Sequence, residues 1–127
     1  MAHFLTKEKR LLIFNKYNGK CAYCGIDLDF NLFHVDHIIP KRRGDTQDYL
    51  NKYSKGIIKG KDNLDNLNPS CCSCNSSKST FTLDQWRNEI NLKYNRLIRY
   101  DSTFKLLVRF KIIKKNEKEI LFYFETL

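Results

Sequence analysis

A chain of 127 residues is the size of one domain with a modest core, and its 23 Lys/Arg against 14 Asp/Glu give a formal charge of +9. That excess points to a polyanionic partner, nucleic acid ahead of an acidic membrane surface. No apolar run approaches the ~20 residues of a membrane helix. The opening Met1-Ala2-His3-Phe4-Leu5-Thr6-Lys7 lacks the apolar core of a signal peptide, so a cytoplasmic protein with no membrane partner is expected.

In chain order, Thr6 is placed to cap a helix running to about Tyr17, with Glu8 near its positive end. Asn18-Gly19 stops it, because Gly takes the left-handed conformation at low cost. Cys21-Ala22-Tyr23-Cys24-Gly25 reads as a metal knuckle. Residues 32–39, rich in Leu, Phe, Val and Ile, predict a strand that Pro40 ends. Residues 41–61 form a long polar link with seven Lys/Arg (41, 42, 43, 52, 55, 59, 61), in which Asp48–Lys55 has room for one or two helical turns. Leu64–Asn68 predicts a short second strand. A helix carrying Asn75 and Lys78 follows Cys71-Cys72-Ser73-Cys74. Thr82 or Ser79 can cap a further helix through Leu83, Trp86, Ile90 and Tyr94, whose spacing matches one helical face. Thr103–Phe110 predicts another helix. The β-prone run inside Glu119–Glu125 predicts a terminal strand.

Cys21, Cys24, Cys71 and Cys74 form two Cys-x-x-Cys pairs. Two thiolates of one turn face one ion, and two such turns complete a tetrahedron. Soft ligands in that geometry favour Zn²⁺, with all positions filled and therefore structural. The pairing suits a reducing compartment better than a disulfide scaffold. Cys72 is surplus and reads as a small packing residue. His3, His34 and His37 are left without zinc duty. Among them His37 stands out, with Asp36 beside it and Asn75 next to a zinc ligand. On a strand Asp36 and His37 would face opposite sides, so a shared cleft requires a sharp bend near Ile38-Ile39-Pro40.

Three stretches, Cys21-x-x-Cys24-Gly25, Val35-Asp36-His37-Ile38-Ile39-Pro40 and Asn66-Leu67-x-Pro69-x-Cys71-x-x-Cys74-Asn75-x-x-Lys78, together resemble the HNH endonuclease family, also called the ββα-metal or His-Me finger nucleases. The resemblance implies an α+β fold: a small ββα-metal nuclease core around the four-cysteine zinc site, with an N-terminal helix and a C-terminal helical and strand extension. With no boundary visible in a chain of this length, 1–127 is expected to be a single nuclease domain, with the core motif at about 21–80 and an accessory extension, beyond the reach of the resemblance, at about 90–127. The resemblance implies a phage or bacterial DNA endonuclease leaving 5′-phosphate and 3′-hydroxyl ends. His37 would be the general base, Asn66 would orient it, and Asp36 and Asn75 would bind one catalytic divalent ion. Many members carry His where this chain has Asn75; an oxygen donor there favours Mg²⁺ or Mn²⁺. Lys41, Arg42 and Arg43 at the cleft rim, and Lys78 one turn after Asn75, are expected to contact nucleic acid. Double-stranded DNA is the expected partner, with homodimerisation an open option. The 41–61 insertion, with Tyr49 and Tyr53 among Lys52 and Lys55, is expected to contribute to DNA engagement. The alternatives are a non-catalytic zinc-stabilised nucleic-acid-binding module and an RNA-directed nuclease.

Overall fold

The computed structural model describes residues 5–42, 46–53 and 58–127. At its centre β1 (His34–His37) pairs antiparallel with β2 (Leu67–Ser70), setting Asp36 opposite Asn68 and His37 opposite Leu67. Two short strands alone are marginal in water. What supports them is α3 (Cys72–Lys78), which follows β2 directly and packs on β1. The α+β class and the ββα arrangement are therefore present. Around them lie α1 (Lys7–Asn15), α2 (Gln47–Tyr53), α4 (Leu83–Tyr100) and α5 (Ser102–Arg109). No helix among the described residues is long and apolar enough to cross a membrane.

The helix starts follow local chemistry. Thr6 Oγ1 accepts from Lys9 N at 3.2 Å. Thr82, rather than Ser79, caps α4 through a reciprocal box with Gln85, each side chain satisfying the other's backbone N–H. Asp101 caps α5 by accepting from Phe104 N at 2.7 Å. Asn18 and Gly19 turn left-handed after α1, as the stop signal requires.

Apolar residues gather in two clusters. One joins Cys21, Ala22, Tyr23 and Cys71 to Trp86 and Phe122. Trp86 stacks on Phe122 at 4.7 Å between centroids and meets Tyr23 edge-on at 5.1 Å. The other holds Ile13, Phe33 and Leu67.

Three expectations are corrected. The second strand starts at Leu67, because Leu64–Asn66 forms a 3₁₀ turn. The expected strand at Glu119–Glu125 is absent; the segment instead ends in a 3₁₀ turn over Tyr123–Thr126. Its apolar residues dock rather than pair in a sheet. Tyr123 N and Phe124 N donate to the carbonyls of Tyr23 and Ala22 in the cysteine knuckle, and Phe122 inserts beneath Trp86. Arg87 clamps this segment, donating to both oxygens of Glu125 at 2.9 Å. Cys72 is exposed rather than packed.

Candidate active site and metal centre

The thiol cluster is built by backbone hydrogen bonds across distant segments. Ala22 N donates to Pro69 O at 2.9 Å, tying the first knuckle to β2. Gly25 closes that knuckle with φ +79°, and Gly25 N donates to Cys21 O at 3.0 Å. Cys71 N donates to Cys21 Sγ at 3.4 Å, and Cys74 N donates to Cys71 Sγ at 3.3 Å. The four Sγ atoms of Cys21, Cys24, Cys71 and Cys74 all lie within 4.8 Å of one another, with Cys24 and Cys71 at 3.8 Å. A tetrahedron with Zn–S bonds of about 2.3 Å has edges of about 3.8 Å, whereas a disulfide requires S–S near 2.05 Å. All five cysteines are free thiols. A hydrogen bond from Cys74 lowers the Cys21 thiol to about 4 against the opposing effect of burial, while the same bond pushes Cys74 up. The donor set and spacing fit a four-thiolate metal site.

Above this cluster, Asp36, His37 and Asn75 line one cleft of about 550 Å³, together with Lys41, Arg42 and Thr80. The bend that a shared cleft requires is made by Asn66. The chain leaves the sheet immediately after His37, where Ile38 N donates to Asn66 O at 2.9 Å. The Asn66 side chain then accepts from Ile39 N at 2.8 Å and donates to Ile39 O at 3.0 Å and Lys61 O at 2.9 Å. Gly60 closes the same loop: a Cβ there would lie 1.6 Å from Ile39 O, so any side chain would displace the backbone.

Asp36 is 5% exposed, and Oδ2 accepts from Tyr23 OH at 2.5 Å. The same Oδ2 lies 3.1 Å from Lys78 Nζ. Burial raises the Asp36 carboxyl pKa, opposed by Lys78 and Tyr23. Burial also lowers the Lys78 ammonium, and Asp36 counteracts it.

Lys78 turns inward instead of toward the cleft mouth. It is 0% exposed and donates to His37 O at 2.8 Å. The face of α3 that packs on β1 is the face that carries it. Removing one partner of a buried pair leaves the other uncompensated, which costs about 3–5 kcal/mol. Lys78→Met is therefore expected to lower the melting temperature by roughly 10 °C or more. The double variant Asp36→Asn/Lys78→Met should recover part of that loss. A single-variant melt within about 2 °C of wild type would contradict the pairing.

Asp62 was not singled out by sequence. Its Oδ1 lies 2.8 Å from His37 Nε2 and its Oδ2 accepts from Lys41 Nζ at 2.8 Å. Lys41, then His37, hold its carboxyl below the usual range. The available signal was its place in the tandem Asp-Asn-Leu at 62–64 and 65–67, which carries Asn66 in the second copy. Arg42 stands on the cleft wall with φ +52°, and its buried Nε has no hydrogen-bond partner among the described residues. Arg43 and Lys55 lie outside the described residues.

The chain is similar in sequence and fold to known proteins. Residues 21–81 match the family model described as HNH endonuclease. The chain is 29% identical over 93 residues to the "SPbeta prophage-derived putative HNH endonuclease YoqL" of Bacillus subtilis (strain 168), a match taking in 62% of this chain. The chain spans about a third, 31%, of that relative's length. Among solved structures it is similar to the Type II-C Cas9 enzyme from Actinomyces naeslundii, with a TM-score of 0.50 and 20% identity over 88% of this chain and 11% of that one. At that identity the likeness concerns the fold.

Proposed function

From the match of residues 21–81 to the HNH endonuclease family model, we propose that the cleft hydrolyses DNA phosphodiester bonds. The observation that carries the proposal is the convergence of His37, Asp36 and Asn75 on one cleft walled by Lys41 and Arg42. His37 takes a proton from water, whose oxygen attacks phosphorus; the bond to the 3′-oxygen breaks, that oxygen takes a proton from solvent, and His37 then releases its own proton to solvent. The products carry 5′-phosphate and 3′-hydroxyl ends. Asp36 and Asn75 would hold one Mg²⁺ or Mn²⁺, which offsets charge on the phosphate and leaving oxygen when bound. The two hard oxygen donors suit such an ion. Zn²⁺ on the four thiolates is the structural ion of the same proposal.

The protein's own contribution is orientation and charge. Asn66 acts through the loop it staples, setting the position from which the His37 ring enters the cleft. Lys78 acts from beneath, fixing the His37 carbonyl and one oxygen of Asp36. Asp62 orients the imidazole and favours the form in which Nε2 carries the hydrogen. Lys41 and Arg42 on the cleft wall supply positive charge suited to a phosphate oxygen.

Asp62→Asn is expected to slow single-turnover cleavage roughly 10–100-fold, as loss of a group that orients a working imidazole does, with little change in melting temperature. Asp62→Glu should restore part of the rate. Cleavage by Asp62→Asn within about twofold of wild type would remove Asp62 from the mechanism.

The direct experiment is incubation with supercoiled plasmid and Mg²⁺ or Mn²⁺, scoring relaxed and linear forms and labelling the new ends. No cutting with either ion would overturn the proposal. Preferential cutting of RNA would select the RNA-directed alternative.

A further inference from the structure

Charge is very unevenly spread along this chain. Residues 92–115 contain eight Lys/Arg and one Asp, so this stretch carries +7 of the total +9 and everything else carries +2. It comprises the second half of α4, all of α5 and the segment after it. All eight cations (Lys93, Arg96, Arg99, Lys105, Arg109, Lys111, Lys114 and Lys115) are exposed. None of them enters an ion pair among the described residues. Residues 41–61 hold a further seven Lys/Arg against two Asp, so the arm is the larger of two basic concentrations along the chain, and a polyanion is drawn to both.

The arm also has form. Tyr94 meets Phe104 edge-on at 6.5 Å between centroids, and its hydroxyl accepts from Asn116 N at 2.8 Å, so α4, α5 and the following segment are held together. Lys93, Arg96 and Tyr100 recur at spacings of three and four and share one face of α4. Two surface hollows meet there, both lined by Arg96 and Tyr100, one including Arg99 and the other Lys93. Lys105 and Arg109 repeat the spacing on α5. Tyr100 and Phe110 are 72% and 71% exposed, side by side with these cations. A helix lying on a membrane segregates its apolar residues opposite its cations; on α4 Lys93, Arg96 and Arg99 instead share their hollows with the exposed Tyr100 ring. Interleaved guanidinium, ammonium and aromatic groups match phosphates and sugar–base edges.

We infer that the α4–α5 arm is a second DNA-binding surface, gripping the phosphate backbone outside the cleft and supplying most of the salt-dependent affinity. This rests on the proposal that DNA is the substrate.

The test uses the full chain carrying His37→Ala, so that DNA is bound and not cut. Fluorescence anisotropy with a short duplex, across a salt series, compares two triple variants. One is Lys93→Gln/Arg96→Gln/Arg99→Gln in the arm. The other is Lys7→Gln/Lys9→Gln/Lys20→Gln, which removes equal charge on and just after α1. Each lost phosphate contact flattens the log–log salt slope by about 0.9. The arm variant should therefore flatten it by about two to three and weaken binding at least tenfold at about 0.1 M salt. The control should change affinity less than about threefold, and both should melt near the parent, because the arm cations, Lys7 and Lys9 are exposed and the one pair lost, Lys20 with Asp27 at 2.7 Å, is a surface ion pair that contributes little. If the first arm variant fails to fold, Lys105→Gln/Arg109→Gln takes its place.

Equal losses in both triple variants, or an unchanged arm variant, would overturn the inference. So would an arm variant that loses binding to phosphatidylserine vesicles while keeping its affinity for the duplex. An arm variant with intact affinity, alongside a wild type that cuts plasmid, sinks only this inference. A parent that neither binds the duplex nor, as wild type, cuts plasmid sinks the nuclease proposal with it.

Discussion

Replacing His37 by alanine is expected to reduce plasmid cleavage by about 10²–10⁴-fold, the usual contribution of general-base catalysis. The fold should survive, because what His37 gives to the architecture is backbone. Its carbonyl receives Lys78 Nζ at 2.8 Å, and its place opposite Leu67 in the sheet does not depend on the ring. Among the described contacts the side chain gives up the one to Asp62, whose carboxylate keeps its partner Lys41. The variant should thus bind duplex DNA, melt near wild type and fail to cut. The measurement is single-turnover cleavage at saturating Mg²⁺, alongside anisotropy and a thermal melt. Full activity in His37→Ala would refute the base assignment.

Cys21→Ser should cost folding outright. Cys21 is 0% exposed, and its sulfur accepts the Cys71 N–H that joins the two knuckles. It also belongs to the cluster in which Trp86 and Phe122 stack, so the thiol site and the main apolar core are one structure. Apparent zinc-binding free energies of about 10–16 kcal/mol in small metal domains compare with about 5–15 kcal/mol for the stability of a whole domain. Losing the site consumes most of what a small core provides. Cys72→Ser, at an exposed position outside the cluster, should be silent. The check is a thermal melt with zinc content measured on the same samples; a Cys21→Ser melt within a few degrees of wild type would sink the structural-zinc assignment. Chelation should separate the two proposed ions as well. Mild chelation should stop cutting reversibly, with Mg²⁺ or Mn²⁺ restoring it. Stripping the thiolate site should unfold the protein, and Mg²⁺ should not rescue it.

Local signals carried much of the architecture. Thr6, Thr82 and the Asn18-Gly19 stop are legible because capping and termination are settled within a turn of the chain. The Cys-x-x-Cys spacing is legible because two ligands on one turn leave few other uses. Asn66 was legible by its distance from Cys71, and the structure shows that residue stapling the loop behind His37.

The apolar run before Glu125 illustrates the opposite case. Its β propensity is real, but a strand needs a partner edge, and what this run meets is the carbonyls of Ala22 and Tyr23 and the face of Trp86. Lys78 is similar. One turn after Asn75, it has two available directions, and the packing of α3 on β1 selects the buried one, beside Asp36.

The sequence by itself determined which atoms this protein can offer: four thiolates, an Asp-His pair, an amide oxygen and an excess of cations, each on a recognisable local element. Only the tertiary structure decided how they are partnered: Lys78 beneath Asp36, Asp62 against His37 across 25 residues of chain, and the terminal segment on the knuckle. The physical reason is that hydrogen bonds and burial act over a few ångströms in space, whatever the separation along the chain, so no periodicity in the sequence records them.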